Sequence, residues 1–265
     1  MKTKIRKFFR AEPTRVLPAV PEGERIYAIG DVHGRRDLFD AMVAAIDADD
    51  AVRVEAETTI ILLGDLMDRG PDSSGVIAAA RDWQARRKVR IIAGNHEEMF
   101  LESFTNIDVL RRFLRYGGRE TVLSYPVNAA EYSAASLDEA QTLMRRAVPE
   151  ADLDFIRSFE DRITIGDYLF VHAGIVPGVA VEDQSLSELR WIRQPFLSHA
   201  GDHGFVVVHG HTIFESADVR ENRIGIDTGA FASGLLTALC LEGSERRLIE
   251  VRDEEGQISA SVRIA

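Results

Sequence analysis

Ile26-Tyr27-Ala28-Ile29-Gly30-Asp31-Val32-His33-Gly34 is the stretch on which the reading of this chain turns. A short run of β-branched and aromatic residues predicts a strand, and Gly30-Asp31 predicts the turn that closes it. Just beyond, Phe39, Met42, Val43 and Ile46 recur at intervals of three, four and seven, the spacing of one helix face. The pattern then repeats. Thr59-Ile60-Ile61-Leu62-Leu63 runs into Gly64-Asp65, and after Pro71 the residues Val76, Ile77, Ala80 and Trp83 mark a second helix. Val89 to Ala93 runs into Gly94-Asn95, with a third helical segment from about Glu97. Strands alternating with helices in this way define an α/β protein.

Outward from this frame the pattern changes. Between Phe104 and Phe159 the strand signal is lost while apolar residues keep helical spacing, and Ser136 with Glu139 forms a capping box. The region 104–160 is read as a helical insertion or lid. Strands resume at Ile163-Thr164-Ile165, turn at Gly166-Asp167, and continue from Tyr168 to Val171 into His172-Ala173-Gly174. Phe205–Val208, Arg223–Asp227 and the alternating segments Leu236–Leu241 and Leu248–Val251 follow.

Composition narrows the function. The 265 residues carry 32 Lys and Arg against 43 Asp and Glu, a formal charge of −11. A protein that binds nucleic acid by neutralising phosphates shows the opposite surplus, so nucleic-acid binding is not expected and any positive field must be local. With 45% hydrophobic residues the chain can bury a core without staples. Its one cysteine, Cys240, lies in an apolar run and cannot pair internally, which fits a reducing cytoplasm. No apolar run approaches the roughly 18 residues of a membrane span, so no stable membrane insertion is expected. Residues 1–24 read as a solvated basic tail, with weak membrane-surface binding the lesser alternative, and 25–265 as a single domain.

Asp31, His33, Asp65, Asp68, Asn95, His96, His172, His209 and His211 all fall at or just past the carboxyl ends of predicted strands, the edge where open α/β sheets bind ligands. One Gly-Asp after a strand is an ordinary turn. Five such turns, each delivering a ligand-type residue, share no packing requirement that would produce them. An Asp/His/Asn set without thiolate suits a divalent metal, with manganese, iron and zinc the candidates and magnesium disfavoured by several imidazoles.

Gly30-Asp31-Val32-His33-Gly34, Gly64-Asp65-Leu66-Met67-Asp68-Arg69-Gly70, Gly94-Asn95-His96-Glu97, His172-Ala173-Gly174 and Gly210-His211-Thr212 together resemble the ordered signature of the metallophosphoesterase (calcineurin-like) superfamily, in its phosphoprotein phosphatase branch. Ala173, where eukaryotic members have a second glycine, points to a bacterial-type member. The resemblance implies a central β-sandwich of two mixed sheets flanked by helices, holding two divalent metal ions, Mn²⁺ foremost and Fe or Zn as alternatives. It implies that Asp31 and His33 bind the first ion, Asp65 bridges, and Asn95, His172 and His211 bind the second. His209 is read as supporting His211, although a looser alignment on His-x-His would use both. Asp227-Thr228-Gly229 supports the site from below.

The reaction implied is direct attack of a metal-bridging hydroxide on phosphorus. Two divalent ions and two ligand aspartates leave a site of about +2, enough to draw a phosphate dianion into an acidic protein. His96 resembles the general acid and Asp68 its orienting partner, a carboxylate expected to favour imidazolium. Arg69 and Arg193, the latter in Trp191-Ile192-Arg193, are expected to clamp phosphate, with Asn95 also touching substrate. The segment Tyr116 to Thr121 either shapes the substrate mouth or simply ends a helix at glycine.

The reading is therefore a metal-dependent phosphomonoesterase, foremost a serine/threonine protein phosphatase acting on a phosphorylated protein or small phosphoester. A symmetrical bis(5'-nucleosyl)-tetraphosphatase is the alternative; Asp68 and Glu97 stand where those enzymes tend to have Ala and Asp. A catalytically inactive regulatory binding protein is the alternative from another class. Sequence does not give the oligomeric state.

Overall fold

A computed structural model describes residues 17–265. The expected repeat is present as β1 (Glu24–Ile29), α1 (Arg36–Ala51), β2 (Glu57–Leu62), α2 (Ser73–Gln84), β3 (Val89–Ile91) and α3 (Asn95–Ser103). The helical region follows as α4 (Ile107–Phe113), a π-helical turn over Leu114–Gly118, α5 (Arg119–Ser124), α6 (Ala129–Ala134), α7 (Leu137–Ala147) and α8 (Glu150–Arg157). The rest comprises β4 (Ile163–Ile165), β5 (Tyr168–Phe170), α9 (Leu186–Trp191), β6 (Val206–His209), β7 (Asp218–Val219), β8 (Arg223–Gly225), α10 (Ala230–Ser233), β9 (Leu235–Glu242), β10 (Glu245–Glu254) and β11 (Gln257–Ile264).

Two mixed sheets form, in the orders β11-β10-β9-β1-β2-β3 and β4-β5-β6-β8-β7. The pairs β1–β2, β2–β3, β5–β6 and β6–β8 are parallel, and β9 runs antiparallel to β1. Period-two alternation with both faces buried explains why β1 is apolar from Ile26 to Ile29. Ile26 and Ala28 join Ile61, Leu239, Phe170, Val208 and Ile224 between the sheets, whereas Tyr27 and Ile29 join Phe39, Met42 and Trp83 under the helices. On the outer face of the second sheet Leu169, Val171 and Val207 pack with Leu189 and Phe196. The fold is thus the expected sandwich of two mixed sheets flanked by helices. Parallel neighbours send the turns after β1, β2, β3, β5 and β6 to one edge.

The region read as an insertion is helical, and the capping box at Ser136 and Glu139 is formed. It is no detached flap, because Val109, Leu110, Phe113, Met144, Leu153 and Phe155 join the same core as Phe39 and Trp83. The amino-terminal reading needs a correction. Residues 1–16 of the expected tail lie outside the described residues, but Val20 is only 3% exposed and its N–H donates to Gly243 O at 3.0 Å. Packed structure therefore begins before residue 24. No helix among the described residues is long and apolar enough to cross a membrane.

Candidate active site

Three turns present the site in unusual backbone. His33, Asp65, Asp68, Arg69 and His211 have φ of +46°, +50°, +71°, +69° and +62°. Non-glycine residues in this region are strained and persist only where their surroundings over-determine them. Here the N–H groups of Val32 and His33 donate to Asp65 O, and that of Gly34 to Leu66 O, tying the first turn to the second. Buried Glu97 ties the third, since its carboxylate accepts from the N–H groups of Asp65, Leu66 and Gly94 at 2.8–2.9 Å. Glycine is required where turns meet: a Cβ on Gly94 would lie 2.2 Å, and one on Gly210 2.1 Å, from Oδ1 of Asp65 and Asp31 respectively.

Asp65 sits at the centre. His33 Nδ1 is 2.8 Å from Met67 O and His172 Nδ1 is 2.8 Å from Leu63 O. A carbonyl oxygen only accepts, so both nitrogens carry hydrogen and each Nε2 presents a lone pair in the neutral ring. Burial keeps the rings neutral, holding His33 well below the ordinary imidazole range and pushing His172 down to about 4. Yet His33 Nε2 faces Asp65 Oδ2 at 3.6 Å, and His172 Nε2 faces Asp65 Oδ1 at 3.5 Å. Acceptors thus confront acceptors on both sides of one carboxylate, the arrangement that a cation on each side satisfies. Asn95 Oδ1 lies 3.0 Å from His172 Nε2 and 2.8 Å from His211 Nδ1. Burial pushes His211 down to about 2, and its Nε2 is buried without a hydrogen-bond partner among the described residues. These oxygen and imidazole donors fit two divalent cations sharing Asp65.

His33, Asp65 and His96 form one trio with ligand atoms within 4.8 Å of one another, and Asp65, His172 and His211 form another. His96 is nonetheless engaged elsewhere. Its Nδ1 is 2.5 Å from Asp68 Oδ2, and its Nε2 is 3.0 Å from an Arg69 guanidinium nitrogen, whose charge disfavours a metal at that atom. Asp31 belongs to neither trio. Its carboxylate accepts from the His211 N–H at 3.0 and 3.2 Å, and burial with the neighbouring Asp227 carboxylate raises its proton affinity. His209 lies behind the site, packed edge-on against Phe196 at 5.1 Å, and is in neither trio.

One expectation about His96 is reversed. The Asp68 partner was expected to favour imidazolium; instead burial, aided by Arg69, outweighs the Asp65 and Glu97 carboxylates and lowers the pKa below the usual histidine value. The resting ring is neutral, with hydrogen on Nδ1 toward Asp68.

An open cleft of about 160 Å³ above these groups is lined by both Arg69 and Arg193. Arg69 lies 4.7 Å from the Phe231 ring centroid and donates its backbone N–H to Gly117 O. Arg193 is exposed and forms no ion pair among the described residues, leaving its guanidinium free for an anion. Tyr116, Met99 and Trp191 complete the rim, and the Trp191 indole N–H is fixed on Glu98 at 2.6 Å. His199 and His203 stack on each other at 4.9 Å outside this cleft.

Sequence reasoning missed three supporting residues. Glu97 was weighed only as a mark of substrate class, although a Glu at the third helical position regularly reaches back to the N-cap N–H. Thr121 falls in the segment read as shaping the substrate mouth, but its bond to Asp68, like the Phe231 contact with Arg69, is long-range and left no local signal. Glu97→Gln is expected to lower unfolding free energy by about 1–3 kcal/mol, because an amide then replaces one of two oxygens serving three buried N–H groups. A urea-denaturation series checks this.

The calcineurin-like phosphoesterase model matches residues 24–230, and the chain belongs to that family, phosphoesterase hydrolases with a dinuclear divalent metal site. Relatives differ in what they act on. The chain is 27% identical to the asymmetrical bis(5'-nucleosyl)-tetraphosphatase of Bacillus velezensis, over 79% of this chain and 86% of that protein. It is 26% identical to serine/threonine-protein phosphatase 1 of Salmonella typhimurium, over 80% and 89%. A solved cold-active protein-tyrosine phosphatase of a psychrophilic Shewanella superimposes with TM-score 0.54 at 20% identity, covering 91% of this chain and 83% of that one.

Proposed function

We propose that this protein hydrolyses phosphomonoesters of alcohols, foremost phosphoserine and phosphothreonine in proteins, in the cytoplasm. The observation that carries this reading is the 2.5 Å contact between His96 Nδ1 and Asp68 Oδ2 at the rim of the metal-type site. An alkoxide is a poor leaving group and needs a proton as the P–O bond breaks, whereas the polyphosphate released from a dinucleoside tetraphosphate leaves readily without one. A positioned histidine–carboxylate pair answers the first need.

In this reading Asp31, His33 and Asp65 would hold one cation, and Asp65, Asn95, His172 and His211 would hold the other, Mn²⁺ being our assignment. When bound, the pair supplies an activated water and neutralises the phosphate. The remaining work falls to the chain. Arg69 and Arg193 bind phosphate oxygens from the rim. As the dianion draws the Arg69 guanidinium away from His96 Nε2, that nitrogen loses a neighbour that opposes its protonation and gains one that favours it. Asp68 holds the proton on Nδ1, so Nε2 faces the departing oxygen.

Parallel Mn²⁺-dependent hydrolysis of a phosphoserine peptide and of diadenosine tetraphosphate tests this. The expected outcome is a larger kcat/KM for the peptide. Faster cleavage of the dinucleotide moves the assignment to nucleotide metabolism, and turnover of neither with metal bound revives the regulatory reading.

A further inference from the structure

The helical region reaches into the active site at one buried point. Thr121, on α5, is fully buried, and its Oγ1 lies 2.5 Å from Asp68 Oδ1, while the other carboxylate oxygen, Oδ2, meets His96. Among the described residues the Asp68 carboxylate has no further hydrogen-bond partner. The Asp68 N–H donates to Thr121 Oγ1 and to Ser73 Oγ, each at 2.9 Å, and the two hydroxyls are 2.8 Å apart.

A threonine hydroxyl has one proton, and only the carboxylate oxygen is purely an acceptor. The Thr121 proton therefore goes to Asp68, and the Ser73 hydroxyl packs against Thr121 Oγ1. Two residues earlier than α5, Gly117, at φ +110°, accepts the Arg69 N–H at 3.0 Å; a Cβ there would lie 2.6 Å from Arg69 Cγ. One segment thus grips two successive residues of the site, both in left-handed backbone.

We propose that Thr121 is a positioning residue of the reaction, fixing the plane of the Asp68 carboxylate so that Oδ2 meets His96 Nδ1 and Nε2 is directed to the leaving oxygen. The inference rests on the reading of His96 as the acid for an alkoxide. Without the hydroxyl, Asp68 Oδ1, fully buried, loses its donor, the carboxylate turns toward what donors remain, and the imidazole loses its anchor.

The test uses the full chain with Mn²⁺ and two substrates, a phosphoserine peptide and 4-nitrophenyl phosphate, whose leaving group departs without protonation. Thr121→Val is expected to lower kcat on the peptide by about 10–100-fold, below the ~10²–10⁴ of a general acid itself, while 4-nitrophenyl phosphate loses less than about threefold. Thr121→Ser restores peptide turnover. ¹⁵N NMR of the His96 imidazole reads the same geometry without turnover: hydrogen on Nδ1 in the parent and in Thr121→Ser, a tautomer mixture in Thr121→Val. If Thr121→Val does not fold, Ser73→Ala, which removes the hydroxyl packed 2.8 Å from Thr121 Oγ1, shows the same substrate split at a few-fold. Equal losses on both substrates overturn the proposal, as does an unchanged tautomer with unchanged peptide turnover. A parent protein inert toward both substrates whose variants still shift the tautomer overturns the proposed function and leaves the Thr121 brace standing.

Discussion

His96→Asn is expected to lower kcat on a phosphoserine peptide by about 10²–10⁴-fold while the protein keeps its full complement of bound metal. The two halves of that expectation come from different contacts. Both ring nitrogens of His96 are engaged by Asp68 and Arg69, so the ring contributes to proton transfer and not to the donors around Asp65. Its backbone N–H donates to Asp65 Oδ1 at 3.0 Å, and substitution leaves that bond in place. Metal analysis beside steady-state kinetics on phosphoserine peptide and 4-nitrophenyl phosphate checks it. A parallel loss of metal and activity on both substrates would show His96 to be a ligand.

Asp65→Asn is expected to act through the metals. Its two oxygens face His33 on one side and His172 on the other, so an amide, with one oxygen and no charge, cannot serve both. Bound metal should fall from two ions to one or none, with affinity reduced by more than the ~10–100-fold typical of supporting residues, and turnover should fall on every phosphoester alike. Asparagine is the informative replacement because Asp65 sits at φ +50°, a region asparagine tolerates, and the backbone bonds of the turn can persist. Inductively coupled plasma analysis of dialysed protein, with circular dichroism to verify the fold, reads the outcome. Two tightly held ions in the variant would remove Asp65 from the bridging position.

Much of this was legible in the sequence because it rests on local rules. Apolar runs ending in Gly-Asp or Gly-Asn gave the parallel strands and the edge at which their turns meet. Strand β11 was legible yet missed: Gln257 to Ile264 alternates polar and apolar residues strictly, although the structure leaves Ile258, Val262 and Ile264 exposed. The sign of the His96 shift could not be read, since it depends on how burial and Arg69 weigh against the Asp65 and Glu97 carboxylates in three dimensions. Nor could the separate places of His209 and His211, which differ by two positions in sequence although His209 packs on Phe196 and Phe214 while His211 faces Asn95. Thr121 lies 53 residues from Asp68, and no spacing rule spans that distance.

The five left-handed residues set a limit on how far this protein can be made robust. Each such conformation costs about 1–3 kcal/mol, against a total of about 5–15 kcal/mol for an ordinary folded domain. Glycine at His33, Asp65, Asp68, Arg69 or His211 would relax the backbone, and every one of those exchanges removes a side chain the chemistry uses. Selection for heat tolerance therefore has to work elsewhere, in the helices and the outer strands, because at this edge stability and activity pull on the same five positions in opposite directions.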